Sequence, residues 1–170
     1  MKAPSIAVAG MIAALALGGF APDSQAETRD QTYVKSVYRS ASKTTVAFSD
    51  AEGHEVAQEL GIAVTRYSNP AFNVKEEWDF IHSDLVGVSG PQRGYYVYYF
   101  EDGEQAYGTF EGAVKTVAGQ DGSWKSTWEG TYRYVGGTGK YKNIKGTGKY
   151  KGSVGSKEPF YEEGKETIEY

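Results

Sequence analysis

The chain has 170 residues with a formal net charge of −4, and it contains 22 glycines, 14 tyrosines and no cysteine. The acidic balance argues against nucleic acid as a partner, because phosphate binding needs an excess of lysine and arginine. The missing cysteines exclude a disulfide framework, a lipid anchor on a cysteine and a thiol nucleophile.

Residues 1–26 come first in chain order. Lys2 is followed by an apolar run over residues 6–20 and then by Ser24-Gln25-Ala26, a small-x-small cleavage pattern. This reads as a cleavable secretory signal peptide. The run carries Gly10, Gly18 and Gly19 and falls short of the ~20 apolar residues that a span requires. No membrane span is expected, and the mature chain, residues 27–170, is expected in the periplasm or the medium as one domain. A domain of this length hides roughly two thirds of its unfolded surface, enough for a core without disulfides.

Beyond the signal, the period of the pattern is that of strands, whose successive side chains point to opposite faces. Strands are predicted over residues 32–39, 44–48, 54–67, 74–88, 93–100, 105–117, 124–135, 149–154 and 159–170. The alternation is cleanest in the seventh, where Trp124, Ser126, Trp128, Gly130, Tyr132 and Tyr134 oppose Lys125, Thr127, Glu129, Thr131 and Arg133. Asp102-Gly103 signals a hairpin, because this pair accepts positive φ angles, and Ser89-Gly90-Pro91 breaks the chain before Tyr95 to Tyr99, which reads YYVYY. The sequence GTGKYK occurs twice, from Gly137 and from Gly146, and reads as two consecutive turns. Lys140, Lys142, Lys145, Lys149 and Lys151 face a later run of glutamates, as expected of charges on neighbouring strands.

These are eight or nine antiparallel strands, and closing the sheet is one way to hide their edges, so the expectation is an all-β single antiparallel eight-stranded barrel. Such a barrel is filled by side chains or holds one small ligand. The predicted inner faces include Ala106, Gly108, Phe110, Gly112 and Val114, and Gly148, Tyr150, Gly152 and Val154, with inward glycines opposite aromatic rings of other strands.

Candidate chemistry follows from these faces. Glu76, Trp78, Phe80, His82 and Asp84 share one face, and its aromatics predict that this face is interior. His82 then becomes a candidate general acid or base, oriented by Asp84 or Glu76, since a carboxylate beside an imidazole raises its basicity. The alternative is that both residues sit on the barrel rim. Trp78, Phe80, Tyr96, Tyr98, Phe110, Trp128 and Tyr132, with His54 and Gln58, are the candidate ligand-binding residues. No HxH or HExxH spacing, GxSxG elbow or phosphate loop occurs, so no metal and no cofactor are expected.

The segment from Tyr134 to Gly148, YVGGTGKYKNIKGTG, resembles the aromatic-x-GGTGxFxGxxG stretch of allene oxide cyclases and dirigent proteins. Tyr99-Phe-Glu-Asp-Gly-Glu, Phe110-Glu-Gly and Gly53-His-Glu-Val-Ala-Gln resemble exported bacterial members of that group. The resemblance implies a calycin-type eight-stranded barrel that acts on small molecules in its cavity without a cofactor. It assigns no catalytic residue, because the GGTG motif is turn chemistry. Three readings follow. The first is a cofactor-independent isomerase, cyclase or lyase acting by proton transfer on a small hydrophobic or aromatic compound. The second is a lipocalin-like carrier, and the third a structural or envelope-interaction protein. Outward tyrosines would suit a homo-oligomer.

Overall fold

The computed structural model describes residues 28–170, so the signal segment lies outside the described residues. The strands are β1 (Thr28–Ala47), β2 (His54–Tyr67), β3 (Val74–Val86), β4 (Gly90–Phe100), β5 (Gln105–Ala118), β6 (Trp124–Gly137), β7 (Lys145–Gly155) and β8 (Glu158–Glu169). One 3-10 turn, Gly139–Tyr141, lies between β6 and β7. Each strand pairs antiparallel with the next and β8 returns to β1, closing the barrel expected from the sequence.

The predicted strands over 32–39 and 44–48 are one strand. β1 runs for 20 residues and carries irregularities between Lys35 and Val37 and between Ser40 and Ser42. A bulge adds a residue and inverts the alternation, so a period-two pattern breaks although the strand continues. Its length lets β1 pair with β2 up to Ala47 and with β8 from Thr28 to Lys35, making it the seam of the barrel.

Aromatic rings and glycines fit together across the interior. A Cβ on Gly148 would lie 2.2 Å from Tyr132 Cζ, one on Gly152 2.4 Å from Trp128 Cε2, and one on Gly164 2.3 Å from Tyr33 Cε1. Each large inward ring thus occupies space that a neighbouring strand leaves empty, which an eight-stranded barrel needs because its interior is narrow.

One end is stoppered. Phe72 of the β2–β3 connection and Tyr141 of the 3-10 turn are each 1% exposed and meet Phe100, with Phe100 stacked on Tyr141 at 4.1 Å between ring centres. The two GTGKYK copies therefore differ, contrary to the two-turn expectation. The first makes the 3-10 turn, with Gly139 at φ +47°, and delivers Tyr141 to the stopper. The second is plain strand in β7, with Tyr150 buried inside. Local sequence is the same, and the strand partners decide the outcome.

Asp102-Gly103 forms the expected hairpin, with Gly103 N–H donating to Phe100 O at 3.1 Å. The break before β4, however, is the two-residue turn Gly87-Val88, where Val86 N–H donates to Ser89 O at 2.9 Å. Val88 has φ 61°, a left-handed conformation that a β-branched residue adopts only under strain. Replacing it with asparagine, Val88→Asn, is expected to raise stability by about 1 kcal/mol, read as a higher denaturation midpoint. Val88→Ile should give no increase.

Candidate functional site

At the middle of the barrel the core is ionic. Lys35 of β1 places its ammonium 2.9 Å from Glu77 Oε1, 3.3 Å from Asp79 Oδ2 and 3.1 Å from Glu162 Oε1. Lys35, Glu77, Asp79 and Glu162 are all buried. Their remaining oxygens are served locally: Thr65 donates to Glu77, Tyr33 to Glu162 Oε1 at 3.1 Å, and Trp128 Nε1 to Glu162 Oε2 at 2.7 Å. A second buried carboxylate, Glu166, accepts from Gln31 at 2.5 Å, from Tyr132 at 2.5 Å and from Tyr134 at 2.9 Å. A charge survives burial only when paired and hydrogen-bonded, as around Lys35; the donors of Glu166 are neutral, and burial raises its pKa against them.

The pKa directions follow from the packing. Burial alone would lower Lys35, yet Asp79, Glu162 and Glu77 together raise it well above its ordinary value, so it stays an ammonium. Asp79 is raised well above the carboxylate range, by burial first and Glu77 second, with Lys35 opposing. Its interior position therefore favours the protonated acid. Burial also raises Tyr96 strongly, with Glu166 adding to the effect, so its phenol stays neutral. The Tyr96 hydroxyl has no partner within the barrel. A proton-holding carboxyl beside an ammonium and other carboxyls is an arrangement that supports acid–base chemistry.

This ionic layer is the floor of a cavity of about 400 Å³. Tyr33, Tyr96 and Tyr132 line its depth, Phe110 and Tyr150 its wall, and Leu85, Val114, Trp128, Val154 and Phe160 form an apolar collar. The collar lies at the barrel end opposite the Phe72–Tyr141 stopper, where Lys43 is exposed at the mouth.

Of the residues predicted to bind a ligand, Tyr96, Tyr98, Phe110, Trp128 and Tyr132 lie along this cavity. The others do not, and their inward assignment is corrected. In β3 the odd-numbered residues Glu77 and Asp79 point inward, which turns Glu76, Trp78, Phe80, His82 and Asp84 to the outer surface. Phe80 is 44% exposed, and Trp78 Nε1 donates to Glu76 at 2.5 Å. His54 and Gln58 of β2 are likewise outward, since Ala57, Ala63 and Thr65 take the inner face. The expectation failed because the rule that aromatics mark the inside is reversed on β3, and the outward residues of β2 pair with that strand. The interior here is ionic, and the outer surface carries the cross-strand row Leu60, Phe80 and Tyr95.

His82 consequently does not meet Asp84 or Glu76 in a cavity. Asp84 serves His54 instead: His54 Nε2 lies 3.0 Å from Asp84 Oδ1, and Nδ1 lies 2.6 Å from Asp50 Oδ1. The hydrogen bond to Asp50, opposed by partial desolvation and assisted by Asp84, raises the His54 pKa. Among the described residues no group of His, Asp and Glu side chains is placed to hold a metal ion. No described helix is long and apolar enough to cross a membrane.

The sequence reading missed Lys35, Glu77, Asp79, Glu162 and Glu166. A signal existed in the pairing: Tyr96 and Tyr98 stand opposite Asp79 and Glu77 in the β3–β4 register. Cross-strand partners share a face, so inward tyrosines on β4 carry those carboxyls inward too.

The chain is similar to a dirigent protein. The solved structure of a pterocarpan synthase dirigent protein matches 95% of this chain and 96% of its own, at 13% identity and a TM-score of 0.33. No protein-family model matches the chain, and no curated protein matches it. The eight-stranded barrel stands on its own strand pairing.

Removing the central cation should be costly. Lys35→Met leaves Glu77, Asp79 and Glu162 buried without their counter-ion, and a loss of about 3–5 kcal/mol is expected at neutral pH. Carboxyls whose folded pKa is raised lose stability as pH rises through that value and regain it towards their unfolded value near 4. Denaturant titrations should therefore show the gap to the unaltered protein narrowing from pH 7 to pH 5. A gap independent of pH would mean that the cluster is not ionic. For His54 the raised pKa means that its interaction is present below the unfolded value and fades as pH rises through the folded one. An NMR titration should place His54 above the free-imidazole value, with Asp50→Asn lowering it.

Proposed function

We propose that the chain is an exported barrel that binds a small hydrophobic or aromatic molecule in its interior and moves protons on it without a cofactor. The observation that carries this reading is the cavity of about 400 Å³, whose apolar collar leads to Lys35, Asp79, Glu77 and Glu162. Ligand sites are commonly concave and mostly apolar, with a few convergent polar groups. Asp79, whose burial favours the acid form, is the candidate proton donor, and an ionised neighbour is the candidate acceptor. A ligand carbon activated between them would undergo isomerisation, cyclisation or elimination. The GGTG segment's resemblance to allene oxide cyclases and dirigent proteins supports the same reaction classes, and the leader at residues 1–26 supports export.

Carriage without chemistry is the second reading, and the apolar collar favours it. Self-association is part of the proposal as well, supported by the outward row Leu60, Phe80 and Tyr95, of which Tyr95 is 65% exposed.

The neutral dye N-phenyl-1-naphthylamine, bright only in apolar surroundings, provides the test. Saturable fluorescence is expected with the full chain. Val154→Trp, which narrows the collar, should weaken binding by about tenfold. Absence of binding, or equal binding to Val154→Trp, would place any dye outside the barrel and defeat the reading.

A further inference from the structure

The charges of the cavity are unbalanced in a way that bears on the ligand. Two lysines, Lys35 and Lys43, and four carboxyls, Glu59, Glu77, Asp79 and Glu162, line it. At the buried floor three carboxyl groups meet one ammonium, so acidic groups outnumber the cation there. Lys35 already donates to Glu77 and Asp79 and lies 3.1 Å from Glu162 Oε1, so three carboxyl groups enclose it. An incoming anion would approach a cation already enclosed by carboxyl groups and would meet Glu162 and Glu77 at close range.

An incoming cation finds the opposite. Glu162 lines the cavity, and a carboxylate has capacity for more than the two hydrogen bonds it accepts here from Tyr33 and Trp128 beside its ion pair with Lys35. Tyr96, 3% exposed, lines the same cavity, and its hydroxyl, itself buried, has no partner. A buried hydroxyl left without a partner is costly, and its oxygen can accept a hydrogen bond from an ammonium. The faces of Tyr33, Tyr96, Tyr132, Tyr150 and Trp128 surround this space, and aromatic faces attract cations, more strongly when water is excluded.

We propose that the cavity selects a protonated amine joined to an apolar body, the amine held between Glu162 and the Tyr96 hydroxyl and the apolar part in the collar of Leu85, Val114, Val154 and Phe160. This rests on the reading of the cavity as a ligand site, and it names the ligand's charge. Charge-assisted hydrogen bonds to Glu162 are about twice as strong as neutral ones, so amines outrank neutral molecules of equal size, and carboxylates rank last.

Isothermal titration at pH 7 of the full chain with n-octylamine, 1-octanol and octanoate, which share one apolar tail, tests the ranking. Octylamine is expected to bind about tenfold tighter than octanol, and octanoate more weakly than octanol. In Glu162→Gln the advantage of the amine should fall below about threefold while octanol affinity holds. Tyr96→Phe removes an unpartnered hydroxyl and keeps the ring, so it should fold at least as well and still bind the amine about threefold more weakly. Equal or tighter binding of octanoate than octanol, or no amine advantage, overturns the proposal and leaves the ligand site standing. So does unchanged amine affinity in Tyr96→Phe. Failure of all three probes to bind overturns both.

Discussion

The Lys35 ammonium is the interaction on which the barrel depends. It projects from the seam strand, the one element paired with both β2 and β8, and it gathers carboxylates from β3 on one side and β8 on the other. Shifting any of these strands by one residue would send its charged group to the outer surface and leave the others buried without a partner. Hydrophobic contacts reward closure of a sheet in several registers. A salt-bridged centre rewards one, which is the best-attested use of buried ion pairs.

Around that centre, volume is managed by pairing rings with glycines. Tyr132 over Gly148, Trp128 over Gly152 and Tyr33 over Gly164 fill space from one strand that the next gives up. Above the floor the collar mixes the aliphatic Leu85, Val114 and Val154 with the stacked rings of Trp128 and Phe160. The cavity is thus apolar at the collar and takes its polarity from the ionic layer at the floor.

Legibility in the sequence followed the chemistry of each face. β6 was the most readable, since its inward residues are mostly aromatic or glycine and its outward ones mostly charged or threonine, as in Tyr132 against Thr131 and Arg133. β1 was split in two by bulges at Lys35/Val37 and Ser40/Ser42, which period-two patterns cannot follow. β3 was read inside out, because Glu77 and Asp79 looked like solvent residues and Trp78 and Phe80 like core. A single sequence shows that a carboxyl is present, and only the partner strand shows that a lysine waits for it. The candidate site therefore lay on the misread face, and the proposed acid–base pair moved from His82 and Asp84 to the Lys35 cluster.

The stopper of Phe72, Phe100 and Tyr141 closes one end of the barrel with packed rings. For the ligand proposed above, the collar at the other end would be both entrance and exit. An occupant must leave past the same Leu85, Val154 and Phe160 that admitted it, so a second molecule cannot push the first through. Exchange is then sequential, and the dwell time of an occupant is governed by the width of a single doorway as well as by the depth of its binding.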